Sequence, residues 1–308
     1  MDLMNDRTAI REEENRAELA ELISSMVLSD GIIEPVHGIR LTRASEPTDH
    51  THAVSKPSFC VIAQGAKEVY LGESVYRYDR TRYLLASLEV PLTGRIVEAS
   101  KERPYLALRV EIDPMQVSSA MIEAGLPTPT GHGDAKAVVV SPLDAGLLDT
   151  TVRILRLLRS PTECRVLMPT IRREHLLRLL MGDQGGRLRH LPLQGGYSGH
   201  IAKAVERLRL EFDRPLRIES LAREMGMSSS GFHHHFKAVT DMSPLQFQKQ
   251  IRLQEARRLM LGQNLDAASA GLRVGYDDAS HFSRDYKRLF GYSPARDAER
   301  LRTMVAAD

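Results

Sequence analysis

The sequence predicts an α+β protein in which a β-rich N-terminal domain with flanking helices precedes an all-α domain of two helix-turn-helix units. Three observations carry this. Between Gly38 and Asp113, short β-branched and aromatic runs alternate with turn residues. After Gly199 every segment reads as helix and turn. The C-terminal part nearly repeats itself, so that Phe232 recurs as Phe282, Phe236 as Tyr286, and Ser243-Pro244 as Ser293-Pro294.

A chain of 308 residues is long for one domain, so two are expected. The glycine-rich stretch GGRLRHLPLQGGYSG offers little reason for regular structure and sets the boundary, giving domains 1–195 and 196–308. The two cysteines, Cys60 and Cys164, exclude a disulfide framework and suit a reducing compartment. Met1 to Arg16 is charged throughout and lacks the apolar stretch of a signal peptide. No apolar run approaches the ~20 residues that span a bilayer. A cytoplasmic protein without membrane contact is expected. Residues 1–198 carry a formal charge of −2 and residues 199–308 carry +4, an asymmetry too mild to identify a partner by itself.

Residues 9–28 read as a helix, with Leu19, Leu22, Ile23 and Met26 at helical spacing. Six strand-like runs follow, GIRLTRAS, SFCVIAQG, KEVYLGESVYRY, YLLAS, PLTGRIVEAS and PYLALRVEI, which pack into a small barrel or sandwich. Helices are expected at Pro114–Glu123, Leu143–Leu158 and Pro169–Met181, with a Gly/Pro loop at 125–136. Leu147, Leu148, Val152, Leu155 and Leu158 form an apolar stripe that suits either a core or a dimer face, the first four being the dimer candidate.

Each C-terminal repeat has helix-turn-helix grammar. In the first, Ile218, Leu221, Ala222 and Met225 form a stripe and Gly226 ends the helix. Ser228 or Ser229 caps a second helix that buries Phe232, Phe236 and Val239. Ser230, His233, His234 and Lys237 then fall on its opposite face. In the second, Gly275 ends a helix, Asp277 or Asp278 caps the next, and Phe282, Tyr286 and Leu289 face inward. Ser280, Ser283, Arg284 and Lys287 face outward. Hydroxyl, imidazole, guanidinium and ammonium groups together suit a helix in the major groove of a double-stranded DNA operator. Arg can fork onto guanine, and Lys can anchor phosphate. The connecting helix starts at Ser243-Pro244 and is apolar on two faces, Phe247 and Ile251 against Leu253, Ala256 and Met260.

This region resembles the AraC/XylS family of bacterial regulators, through SPLQFQKQIRLQEARRLML and DAASAGLRVGYDDASHFSRDYKRLFGYSPARD. The segments KPSFCVIAQGAKEVYLGESVYRYD and PYLALRVEIDP resemble the cupin-type regulatory domain of one branch. The resemblance implies a double-stranded β-barrel sensor for a small-molecule effector, a helical dimerisation segment giving a homodimer, and a DNA-binding module able to meet RNA polymerase. Two positions depart from the family pattern: Gly271 stands where Ala is usual, and His234 where Arg is common.

Other residues have rival readings. Three consecutive helical positions point ~100° apart, so His233-His234-His235 cannot close a tetrahedral metal site. His50 and His52 read as part of a solvated loop, without a third or fourth ligand in view. No metal, cofactor or catalytic role is expected. Cys60 in SFCVIAQ is a buried small hydrophobe or a redox or electrophile sensor, and Cys164 lies in a Pro-flanked linker. Tyr70, Tyr76, Tyr78 and Tyr83 either line an effector cavity or form cross-strand core pairs. With Cys60, Tyr70, Tyr76 and Tyr78 form the candidate effector set.

Overall fold

Alternation of side chains along its strands sorts the N-terminal domain into layers. The computed structural model describes residues 2–127, 136–190 and 196–306, so the expected loop at 125–136 lies mostly outside the described residues. Helix α1 (Asp2–Met26) leads to β1 (Gly31–Val36), β2 (Ile39–Ala44), β3 (Thr51–Ser55), β4 (Ser58–Gln64), β5 (Ala66–Leu71), β6 (Ser74–Asp79), β7 (Arg82–Ala86), β8 (Val90–Glu98) and β9 (Tyr105–Glu111). Then come α2 (Pro114–Glu123), β10 (Val138–Pro142), α3 (Ala145–Leu157), α4 (Pro161–Met181) and the short α5 (Gly185–Leu188). The C-terminal part comprises α6 (Gly196–Leu210), α7 (Ile218–Glu224), α8 (Ser229–Thr240), α9 (Pro244–Gly262), α10 (Ala267–Arg273), α11 (Ala279–Phe290) and α12 (Pro294–Ala306). No helix among the described residues is long and apolar enough to cross a membrane.

One sheet has six strands in the order β1-β2-β9-β4-β7-β10 and the other four, β3-β8-β5-β6. The sheets face each other but their hydrogen-bond ladders do not close into a continuous barrel. The chain passes between them at Gly65, with φ +87°, where a Cβ would stand 2.4 Å from the Glu98 carbonyl oxygen. On β4 and β9, Phe59, Val61, Leu106, Leu108 and Val110 face a helical layer, while Cys60, Ile62, Tyr105, Ala107 and Arg109 face the second sheet.

Helices α1, α3 and α4 cover the outer face of the large sheet. Here the stripe Leu147, Leu148, Val152 and Leu155 is core, none of the four more than 2% exposed, and it offers no dimer face. An amphipathic stripe shows only that something covers it; here that is the chain's own sheet and helices α1 and α4. Tyr83 belongs to the same layer, its ring 5.1 Å from Phe59.

Three local expectations are corrected. Helix α4 starts at Pro161, capped by Ser160, and runs through Pro169, so Cys164 is helical rather than in a linker. Burial of Met168, Ile171, Leu176 and Leu179 offsets the hydrogen bond lost at Pro169. The glycine-rich boundary is helical from Gly196 onward. His52 lies in strand β3 rather than a solvated loop, because β8 supplies the ladder and the C-terminal domain covers its outer face.

His175 in α4 is buried with Nδ1 2.9 Å from Thr150 Oγ1 and its ring edge-on to Phe59. Burial, helped by Arg172 and Arg178, pushes its pKa down from 6.5 to about 4. The unfolded chain therefore binds a proton that the fold resists. The stability of neutral His175 is fully present above pH 6.5 and drains away as pH falls towards 4. Melting temperatures between pH 7.5 and 4.5 should fall more steeply for the wild type than for His175→Gln. Parallel curves would assign the acid sensitivity to other groups.

Candidate nucleic-acid interface

Both helix-turn-helix units are built as the repeat predicts. In the first, Ser228 caps α8 by accepting from the Gly231 amide at 3.2 Å. Phe232, Phe236 and Val239 are buried, and Phe236 meets Phe247 of α9 edge-on. In the second, the Asp278 carboxylate accepts from the amides of Ser280 and His281 at 2.8 and 3.3 Å. Phe282 and Tyr286 are fully buried in a chain of rings from Tyr276 to Phe290. Helix α9 joins the units. Its capping box is formed by Ser243 and Gln246, Phe247 and Ile251 enter the first cluster, and Leu253, Ala256 and Met260 enter the second.

The unusual Gly271 has a packing reason. A Cβ there would stand 2.9 Å from the Phe282 ring, and Phe282 is fully buried. The first unit has Ala222 at this place, also buried. Gly271 thus trades helix propensity for a closer ring, rather than loosening its helix without return.

The recognition faces point away from these cores. Ser230, His233, His234 and Lys237 on α8 are exposed, with His235 half-buried. On α11, Ser280, Arg284 and Lys287 are exposed and Ser283 is half-buried. Arg288 is also exposed there, an additional cation that the repeat comparison did not single out. Among the described residues no ion pair or hydrogen bond holds Arg284; its field helps lower the pKa of Asp278, behind the amide hydrogen bonds to that carboxylate. Asp285, the neighbour of Arg284 in sequence, is instead buried and bridges Lys249 and His281 at 3.1 and 3.3 Å.

The C-terminal domain is docked on the N-terminal one. Asp241 ends α8 in the left-handed region, φ +57°, where the second unit has Gly291. Its carboxylate accepts from the amides of Glu73 and Ser74 at 2.8 Å each, in the turn between β5 and β6. Gly72 lets this turn close in, since a Cβ there would stand 2.1 Å from the Asp241 carbonyl oxygen. The Ala137 amide donates to Val239 at 2.8 Å, and Arg209 of α6 pairs with Glu89 at 2.6 Å. At the second unit, His52 lies edge-on to Phe290, its Nδ1 2.8 Å from Thr93 Oγ1. Burial and then Arg257 push the His52 pKa down to about 4. Asp241 was detectable in sequence as the place where the repeats disagree, an Asp facing a Gly.

Of the candidate effector residues, Cys60, Tyr76 and Tyr78 face the space between the sheets. Tyr70 does not. It pairs with Val75 across the hairpin, on the outer face, where its hydroxyl donates to Glu68 at 2.7 Å and its ring meets His50. Burial pushes the Cys60 thiol up, with Arg109 and Lys67 opposing. Lys67 and Arg109 share this interior and were not foreseen. Among the described residues no cluster of three or more His, Cys, Asp or Glu could hold a metal ion.

Residues 35–187 match the family described as the AraC-type transcriptional regulator N-terminus, and residues 221–300 match a helix-turn-helix domain. Among curated proteins, the chain is 25% identical over 122 residues to the HTH-type transcriptional regulator ArgR of Pseudomonas aeruginosa. It is 32% identical over 87 residues to the MmsAB operon regulatory protein of the same organism. These alignments cover 39% and 28% of this chain and 37% and 28% of the relatives' lengths. Among solved structures, ToxT of Vibrio cholerae with unsaturated fatty acid bound shares the fold, with a TM-score of 0.56 over 86% of this chain and 96% of ToxT at 10% identity.

Proposed function

The chain belongs to the AraC/XylS family of DNA-binding transcription regulators, and on that premise we propose that α8 and α11 read successive grooves of an operator while a small-molecule effector between the two N-terminal sheets biases their presentation. The observation that carries this is the pair of exposed recognition faces, joined by one helix and backed by separate cores. Ser230, His233, His234 and Lys237 meet the first half of the operator; Ser280, Ser283, Arg284 and Lys287 meet the second. Effector gating is supported by the fatty acid that ToxT binds on the same fold, and by the docking of both units against the sensor sheets. We place the division of the two domains at 195/196, dimerisation in residues 1–195, and the site of action in the cytoplasm, with RNA polymerase as a downstream contact. The reaction class is binding, not catalysis.

Selection of duplexes from a random pool by full-length protein should enrich one sequence. Its affinity should fall steeply from 50 to 200 mM salt, with a slope of about −0.9 per phosphate contact. A pool that stays random, or a binding constant indifferent to salt, would remove the DNA-reading role.

A further inference from the structure

Lys67 of β5 turns its side chain between the two sheets. Its ladder partners, Tyr78 on β6 and Ile96 on β8, are buried inward residues. Its Cε and Nζ lie across Gly94, 2.9 and 3.5 Å from where a Cβ there would stand. Glycine at 94 therefore makes room for the lysine. On the facing sheet Cys60 pairs with Arg109 across the β4–β9 ladder, and both face inward.

Among the described residues this interior holds two cations and no counter-charge. The groups whose charge acts on Lys67 are Cys60 and Arg109, with no carboxylate among them. No hydrogen bond or ion pair from the described residues holds the ammonium, and burial lowers its pKa. Arg109 donates from Nη2 to the Lys56 carbonyl at 3.1 Å, leaving Nε buried and unpartnered. The Tyr76 hydroxyl is buried without a partner too, whereas Tyr78 and Tyr105 hydrogen-bond to each other. Arg257, by contrast, is largely enclosed and meets the buried Asp297 carboxylate at 2.8 Å. An enclosed cation without an anion is strongly unfavourable unless something else supplies the charge.

Cys60, Lys67, Tyr76 and Arg109 keep accessible surface although they point between the sheets, while Ile62, Tyr78 and Tyr105 keep almost none. The surface left between the sheets thus belongs to the polar groups and to Cys60.

We propose that this space binds an organic monoanion, a carboxylic acid with an apolar body, whose carboxylate is held by Lys67 and Arg109 with the Tyr76 hydroxyl donating to it. This rests on the reading that an effector enters between the sheets, and it names the effector's class.

The test titrates full-length protein with straight-chain carboxylates from acetate to dodecanoate and with the matching neutral amides, following the melting temperature. A ligand that binds only the folded state raises it with concentration. At least one carboxylate should do so, with its amide at least tenfold weaker. Lys67→Met should melt above the wild type without ligand and lose the carboxylate response, and Lys67→Arg should keep the response. Arg109→Gln should weaken it, and serves alone if Lys67→Met does not fold. The proposal falls if no carboxylate in the series stabilises the protein, or if Lys67→Met responds like the wild type. Amides matching the acids would also overturn it, yet would leave an effector space of another chemistry. DNA selection by the same protein is a separate readout, so failure of the regulator reading is distinguishable.

Discussion

Asp297→Ala is expected to destabilise the C-terminal domain by about 3–5 kcal/mol, the usual cost of breaking a buried ion pair from one side. Asp297 is fully buried in α12. Arg257 of α9 approaches at 2.8 Å, Arg300 at 3.3 Å, and the Tyr286 hydroxyl of α11 donates to it at 2.9 Å. One carboxylate thus ties the second recognition helix to the helix joining the units. Its loss leaves the Arg257 guanidinium under the Phe290 ring and the Tyr286 hydroxyl without an acceptor. Urea unfolding followed by circular dichroism should show an early transition in Asp297→Ala and a smaller loss in Asp297→Asn, which keeps an acceptor for Tyr286. Indistinguishable midpoints for Asp297→Ala and the wild type would show that the cluster contributes no net stability.

Arg284→Ala is expected to weaken operator binding by about 1–3 kcal/mol, roughly fivefold to 150-fold, and to relax preference at one base pair. The physical basis is that Arg284 is exposed on the face opposite Phe282 and Tyr286, and no ion pair or hydrogen bond among the described residues restrains it. Lys287→Ala, by contrast, should weaken all sequences alike and reduce the salt slope by about one, since a compact ammonium suits phosphate. Duplex selections with each variant separate the roles. An unchanged consensus in Arg284→Ala would return this residue to the ordinary surface.

The C-terminal domain was legible because its signals are local. Caps, glycine stops and aromatic spacing repeat within the sequence, so the burial of Phe232 with Phe282 followed from pattern, and each cap was narrowed to two residues, of which the structure uses Ser228 and Asp278. The β domain was less legible because its signals depend on partners distant in sequence. Which face of β3 is covered depends on Phe290, more than 200 residues away. The Tyr70 error is one of parity. Gly72 and Glu73 form a two-residue turn that sets Leu71 opposite Ser74, and hence Tyr70 opposite Val75. Tyr76 and Tyr78 therefore share the inner face while Tyr70 takes the outer. Lys67 went unread because an inward lysine violates the alternation used to assign the strand.

The β5–β6 hairpin bears on both domains at once. Its strands carry Lys67, Tyr76 and Tyr78 inward, and its turn holds the Asp241 carboxylate at the end of the first recognition helix. Lys67 and Gly72 are five residues apart on one ladder, about 16 Å of extended chain. If occupancy of the interior alters that turn, thermodynamic reciprocity applies. Whatever factor the small molecule imposes on operator affinity, the operator must impose on the affinity for the small molecule. The concentration at which such a regulator responds would then be a property of the protein on its promoter, set partly by the DNA sequence beneath it.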